Sequence, residues 1–389
     1  MGEQPRRVLF TIGSLAGGGA ERQTLQYLEG LNRGRFAPQV YLTHGEGELL
    51  EQLPGDVPRT AFWDRHRAPR WNFPGRIHRW QVRDLARFLD EQRIDVLVSV
   101  TFQATLVAGP AVRRRPTPWF AIEMADPRLD LDNQVQRFRG IKRRLLARAY
   151  RRADRVLAVS RGVRDGLLAV YGCPGDRVVV LPNFIDLAAV QRRAAADGPE
   201  LSPDRFHIAT IGRLDPQKGQ IYLLQAVKLL QQRPTFRNIL LHLIGQGPLE
   251  SPLRDFVRQH DLGAHVQFVG YLPDPLPYLR CCHLFCLPSL YEGLPLALLE
   301  AMACGVPVVA TDCPSGPHEV LSGGACGRLV PSADPAALAD AIIQAHQHRG
   351  GDVAMVQAAQ QRVRTAYSAE VVLPRLERML STTVGGSGA

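Results

Sequence analysis

Residues 207–219 read HIATIGRLDPQKG, and residues 8–19 read VLFTIGSLAGGG. Each is a short apolar run that ends in a glycine and opens into a loop, and the cores Thr11–Leu15 and Thr210–Leu214 differ at one position. A strand that leads into a loop and then a helix, met twice in one chain, points to two similarly built domains. The intervening sequence agrees. Apolar runs at 38–43, 96–101, 119–123, 155–160 and 178–183 follow the first stretch, and runs at 239–245, 266–270, 284–289 and 306–311 follow the second. Between them lie longer amphipathic segments, the pattern of parallel sheets covered by helices on both faces. The predicted fold is α/β, with two doubly wound, Rossmann-like domains facing across a cleft. The predicted boundaries are 1–185 for the first domain, 186–204 for an Ala-rich linker, 205–365 for the second domain, and 366–389 for a C-terminal helix and a disordered tail.

A chain of 389 residues, 45% hydrophobic and 22% charged, has the length and composition for two cores. Its first 20 residues lack the apolar segment of a signal peptide, and its seven cysteines are odd in number, so a cytoplasmic protein with reduced thiols is expected. Cys281, Cys282 and Cys286 lack the further ligands of a metal centre and are expected as buried thiols. The run 94–112 contains Asp95, Ser99, Thr101, Gln103 and Thr105, so it is expected as a buried strand, a loop and a short helix rather than a membrane span.

The net charge of +10 is unevenly spread. From Arg137 to Arg155 nine basic residues face the single acid Asp154, while Phe138, Ile141, Leu145, Leu146 and Ala149 recur at helical spacing. This predicts a helix with one apolar and one cationic face. It is either a solvated helix docked on its own domain or a contact for an anionic membrane, an anionic lipid-linked acceptor or nucleic acid. Arg65, Arg67, Arg70, Arg76, Arg79 and Arg83 are likewise interleaved with Trp63, Trp71, Phe73 and Trp80. No nucleic-acid-binding signature accompanies them, so membrane ranks above nucleic acid. Any membrane contact is expected to be peripheral, at the inner face, through 137–155.

Ligands of open parallel sheets bind at the carboxyl ends of the strands. Gly17, Gly18 and Gly19 precede a helix and let backbone N–H groups approach an anion. They form neither a G-x-G-x-x-G nor a Walker loop, which disfavours a dehydrogenase or a P-loop ATPase. Arg213 and Lys218, on the matching loop of the second half, supply a planar fork and a point charge suited to a diphosphate. Glu292 and Glu300 then stand out in SLYEGLPLALLEAMACGVPVVAT, residues 289–311, an otherwise apolar stretch. Pro295 suits a first helical position, which leaves Glu292 in the preceding loop. Acids eight residues apart on a helix are ~12 Å and ~80° from one another, too far to work as a close acid–base pair. Separate roles along an extended ligand fit better. Glu300 is expected on a ribose diol, Glu292 on the group beyond the phosphates, and the Gly293 and Leu294 amides on the diphosphate. The alternative, two solvated acids, is weakened by the apolar residues around Glu300.

Residues 207–331 resemble the nucleotide-binding half of the large retaining glycosyltransferase family of GT-B fold, family four (glycosyl transferases group 1). The matching segments are Gly212–Gly219, the Gly245–Leu249 turn, E-G-L-P-x-x-x-x-E-A-M-A-x-G-x-P-V-V-A-T at Glu292–Thr311, DCPSGPHEVL at 312–321, and Gly327–Pro331. GGGAER at 17–22 and VLPNFID at 180–186 extend the likeness to the first half. The resemblance implies transfer of a sugar from a nucleotide diphosphate donor to a glycan or lipid-linked acceptor, with retention and with no metal or cofactor, in polysaccharide or lipopolysaccharide synthesis. It implies Glu292, Arg213 and Lys218 as the catalytic residues, and Glu300, Gly293, Leu294, Gly245, Gly17, Gly18 and Gly19 on the donor. The segment 312–321 inclines the donor toward a UDP-hexose or UDP-N-acetylhexosamine. Many relatives carry His or Arg where this chain reads AIEMADP, 121–127, so Glu123 and Asp126 are the acceptor-side candidates. Another GT-B chemistry, epimerisation or phosphorolysis, lacks its expected residues. A nucleotide-sugar-binding scaffold without turnover stays open, because no basic residue stands at that acceptor-side position.

Overall fold

The structure, a computed structural model, describes residues 4–71, 73–129, 138–233, 236, 238–348 and 350–382. The chain divides into two compact units, Met1–Asn183 together with Val372–Ala389, and Phe184–Val371.

The first unit is built on strands β1 (Arg6–Ile12), β2 (Phe36–Leu42), β3 (Arg59–Ala61), β4 (Val96–Val100), β5 (Trp119–Glu123), β6 (Arg155–Ala158) and β7 (Val178–Val180). They form one sheet in the order β3-β2-β1-β4-β5-β6-β7, parallel at every pairing. β4 and β5 are buried at every residue. That is why they read as unbroken apolar runs: helices cover both faces of the sheet. The second unit carries β8 (Phe206–Ile211), β9 (Ile239–Ile244), β10 (Val266–Gly270), β11 (Leu284–Leu287), β12 (Val308–Thr311) and β13 (Arg328–Val330). Its sheet runs β10-β9-β8-β11-β12-β13, again parallel throughout. The two opening stretches thus become β1 and β8, and strand order reverses beside each of them, between β1 and β4 and between β8 and β11. Their loops leave the sheets at these switch points, where open α/β sheets take ligands.

Every strand expected from the sequence is present, and two more are added. β3 and β13 are three-residue edge strands, half-exposed and without a continuous apolar run, so they gave no signal. In 94–112 no loop separates strand from helix. The helix Thr101–Val112 begins directly after β4, with Thr101 at φ 74°. Among the described residues no helix is long and apolar enough to cross a membrane.

Three other expectations meet a different structure. The stretch read as a linker holds a helix, Leu187–Ala194, capped by Asp186, whose side chain accepts from the Ala189 amide at 2.8 Å. This helix packs on the helices Leu276–Arg280 and Leu296–Ala303 of the second unit, burying Val190 and Ala194. The last helix, Ala369–Thr382, expected as a segment apart from both domains, is not separate. From Val372 on it belongs to the first, where Arg375 donates to the Val180 carbonyl at 2.8 Å and Glu377 pairs with Arg35. The tail expected to be disordered lies, from residue 383, outside the described residues. Lastly, the basic helix, Arg139–Tyr150, buries Leu146 and Ala149 but leaves Phe138, Ile141 and Leu145 of the expected apolar face exposed. Arg137 lies outside the described residues. Among the cysteines, Cys282 and Cys286 are buried as expected and Cys281 is exposed.

Candidate functional site

The loop after β8 is a tightly bonded unit. Asp215 precedes a single 3-10 turn, Pro216–Lys218, and caps it by accepting from the Lys218 amide at 3.2 Å. The same carboxylate takes the Arg213 Nε at 2.5 Å, so the exposed guanidinium keeps its two η nitrogens for other partners. Gly219 ends the turn at φ 62°, and a Cβ there would collide with the Pro288 carbonyl. From below, the 245–249 turn supports the loop. Leu214 donates to the Gln246 carbonyl and Leu249 to the Leu214 carbonyl, each at 3.0 Å. A Cβ at Gly245 would strike the Gly212 carbonyl, so the missing side chain serves backbone packing.

The loop after β11 carries Glu292, and the two loops are joined through it. Lys218 Nζ and Ser289 Oγ both donate to Glu292 Oε1, each at 2.6 Å. Gln217 adds two more ties, donating from Nε2 to the Tyr291 carbonyl at 3.0 Å and accepting the Leu290 amide at 2.8 Å. The Glu292 carboxylate is buried, with the Lys218 ammonium as its counter-charge and Oε2 outside both bonds. The Ser289 carbonyl is held in turn by Thr311 Oγ1 at the end of β12. The Cys313 thiol beside this carboxylate is pushed up to about 12, by burial first and by the Glu292 charge second, and stays neutral. Gly293 and Leu294 lie between Glu292 and the helix Leu296–Ala303, which begins one residue after Pro295. Gly316, at φ 93°, packs against the Gly293 carbonyl, where a Cβ would stand 2.9 Å away.

Glu300 is buried in the second turn of that helix, apart from the Lys218–Glu292 pair. Its charge acts on the neighbouring helix. The Arg193 guanidinium, held by Asp274 at 2.7 Å, is raised by that partner first and by Glu300 as well. Glu300 also helps burial push the Cys304 thiol up to about 12.

In the first unit the glycine loop follows β1. Gly17 stands at φ 100°, Gly18 is the N-cap of the helix Gly19–Gly30, and no side chain caps that end. The two acceptor-side candidates are committed elsewhere. Glu123 is buried at the end of β5, where it accepts from the Tyr150 hydroxyl and from the Met124 amide at 3.1 Å. The Tyr150 phenol is raised well above its ordinary range, by burial first and then by the Glu123 charge. Asp126 is buried against the helix Arg161–Tyr171 and takes Arg128 through both oxygens. Among the described residues no group of three or more His, Cys, Asp or Glu comes together to hold a metal ion.

Arg213, Lys218, Glu292, Gly293 and Leu294 therefore gather at the carboxyl edge of the second sheet. Ser289, Gln217 and Asp215 complete the cluster and were not singled out from sequence. Asp215 before Pro216 was a readable cap signal; Ser289 and Gln217 gave none.

Comparison with known proteins bears on the family and the fold. The family described as Glycosyl transferases group 1 matches residues 192–362, and Glycosyltransferase Family 4 matches residues 17–189. A Campylobacter jejuni N-acetylgalactosamine-N,N'-diacetylbacillosaminyl-diphospho-undecaprenol 4-alpha-N-acetylgalactosaminyltransferase is 30% identical over 186 residues, 48% of this chain and 49% of that one. The amylovoran biosynthesis glycosyltransferase AmsK of Erwinia amylovora is 30% identical over 243 residues, 60% of this chain and 57% of that one. The chain spans about half the length of the curated relatives it matches. Anabaena HepE, solved in complex with UDP and glucose, superposes with a TM-score of 0.80 over 96% of this chain and 99% of its own, at 21% identity. That likeness speaks to the fold, which is GT-B. The chain belongs to the GT-B group 1 glycosyltransferases.

Proposed function

We propose that this protein is a retaining, metal-independent glycosyltransferase. It moves a sugar from a nucleotide diphosphate donor, a UDP-hexose or UDP-N-acetylhexosamine, to a glycan or lipid-linked acceptor in polysaccharide or lipopolysaccharide synthesis. The observation that carries this reading is the buried Glu292 carboxylate, held through one oxygen by Lys218 and Ser289 beside the Gly293–Leu294 backbone. In the proposal, Glu292 Oε2 and the adjoining backbone address the donor sugar and its phosphate. Lys218 uses one of its three donors on Glu292 and Arg213 uses only Nε on Asp215, so both have donors left for the diphosphate. Charge developing on the leaving diphosphate then falls beside two preorganised cations, which lowers the barrier more than it favours the ground state. Glu300 takes the ribose, and Gly17–Gly19 take the distal phosphate or the acceptor side.

The Campylobacter relative's name specifies a lipid-linked acceptor and the Anabaena structure holds UDP, which supports the acceptor and donor classes. We further place the protein on the inner face of a membrane through 139–155, whose cations have anionic headgroups as their natural partners. Acceptor activation is assigned to neither Glu123 nor Asp126. Their structural engagement favours a second reading, a donor-binding protein without turnover, and assay with plausible acceptors separates the two.

The test of the proposal is a thermal-shift panel with UDP, GDP, ADP and TDP. A ligand at ~100 times its dissociation constant stabilises by ~2.7 kcal/mol, so a shift with UDP alone is expected and no shift with any nucleotide contradicts the reading. Glu300→Ala is expected to weaken UDP binding; equal affinity by calorimetry would remove Glu300 from the ribose.

A further inference from the structure

Two groups of exposed apolar side chains on the first unit are embedded in unopposed positive charge. Just before the helix Arg76–Glu91, Trp71 is 83% and Phe73 52% exposed. The guanidinium carbons of Arg76 and Arg79 lie 5.8 and 5.5 Å from the Phe73 ring centroid. At the start of the helix Arg139–Tyr150, Phe138 is 57% and Ile141 56% exposed, next to Lys142, Arg143 and Arg144. Asp64 and Asp84 bracket the first group and Asp154 closes the second, with no acid inside either stretch. Arg67, Arg70, Lys142, Arg143, Arg144 and Arg148 make no ion pair with a described residue.

The topology brings the two groups together. β3 and β5 are parallel strands of one sheet, so the segments that follow them both leave its carboxyl edge. Both helices pack against the same helix, Thr101–Val112, which sets them on one face of the sheet to either side of it. Neighbouring helices lie ~10 Å apart, so the axes of two helices that flank a third are roughly 20 Å from each other.

We propose that this edge is a two-point membrane-docking surface, in which Trp71 and Phe73 insert at the headgroup level while the helix Arg139–Tyr150 lays Phe138 and Ile141 beside its cations on anionic lipid. The inference rests on the reading of 139–155 as the membrane contact and adds the second point. Charge complementarity selects the partner: acid-free cationic stretches match a negative lipid surface, and Trp belongs at the membrane–water boundary. One point alone would leave the protein free to pivot on the surface; two fix its orientation, and with it the direction in which the glycine loop of the same edge faces a lipid-borne acceptor.

The test uses the full chain with vesicles of phosphatidylcholine alone or mixed with phosphatidylglycerol, read by sedimentation and by tryptophan emission. Binding to the anionic vesicles, falling with salt, and a blue shift of emission are expected. Trp71→Phe is expected to keep binding and lose most of the shift. Trp71→Ser with Phe73→Ser is expected to lower affinity about tenfold with an unchanged melting temperature, because both side chains already face water. Gln at Arg143, Arg144, Arg151 and Arg152 is expected to remove the salt-sensitive part. If the wild-type chain binds vesicles while the serine variant binds equally and emission does not move, the second point is overturned and the helix reading stands. If the wild-type chain binds no vesicle, or binds single-stranded RNA and no vesicle, both are overturned.

Discussion

Glu292 receives two hydrogen bonds on one carboxylate oxygen, and the two donors differ in what they contribute. Lys218 supplies the charge that lets the carboxylate stay buried, whereas Ser289 fixes its direction. Lys218→Ala is expected to lower donor turnover ~10²–10³-fold, since it removes the counter-charge of Glu292 and, on the proposed function, a hydrogen-bond donor to the diphosphate. Ser289→Ala leaves the charge pair intact and is expected to cost about 1 kcal/mol, about fivefold in turnover. Steady-state UDP release from a UDP-sugar compares them, and equal losses would show that Ser289 does more than orient the acid. Gly219→Ala is a purely structural counterpart. It forces a side chain into φ 62° and against the Pro288 carbonyl, so a loss of about 1–3 kcal/mol in a denaturant melt is expected. At this scale the sequence was legible where chemistry was unusual for its setting, as with two acids in an apolar run. It was silent on Ser289, an ordinary residue until the fold sets it beside a lysine 71 positions away in the chain.

At the scale of the element, β8 and β9 carry a buried pair of hydrogen-bonded histidines, His207 and His242. The Ser202 carbonyl can only accept, so His207 donates to it from Nε2, and its Nδ1 shares a hydrogen bond with His242 Nε2, 2.9 Å away. His242 Nδ1 in turn shares a hydrogen bond with the Tyr278 hydroxyl, also at 2.9 Å. The His242 value is lowered from 6.5 to about 4, by burial first and then by His207. A histidine depressed in the folded state binds its proton more readily when unfolded. Stability is therefore full above about pH 6.5 and declines as pH falls from there toward 4, by up to about 3 kcal/mol. His242→Gln is expected to flatten this decline in melts recorded from pH 7 to 4; an unchanged slope would place the titrating group elsewhere. Strands showed the same divide between legible and hidden. Central β4 and β5 are written as apolar runs because both their faces are covered, while edge strands β3 and β13, half in water, are not. The 139–150 helix was readable as a helix but not in its burial, because periodicity marks an apolar face without saying whether the domain covers it.

For the whole molecule, repetition of a strand-loop-helix opening was enough to read two doubly wound units, but not which unit owns the last helix. Its Val372, Leu373, Leu376 and Leu380 are buried in the first unit, a non-local pairing that no local pattern encodes. Ending the chain at residue 371 exposes the surface those four cover, at about 2 kcal/mol each, and is expected to unfold or strongly destabilise the first unit. A first-unit melting transition equal to that of the full chain would contradict this packing. The central claim, that the Lys218–Glu292 cluster of this GT-B chain holds a sugar nucleotide for transfer, is tested most directly by following UDP release from UDP-glucose and UDP-N-acetylglucosamine by proton NMR, for the wild-type chain and Lys218→Ala. Release from at least one donor is expected, with the freed or transferred sugar first appearing in the α configuration, and near-complete loss in the variant. Release that is unaffected by the variant, or a sugar that first appears as β, would contradict it.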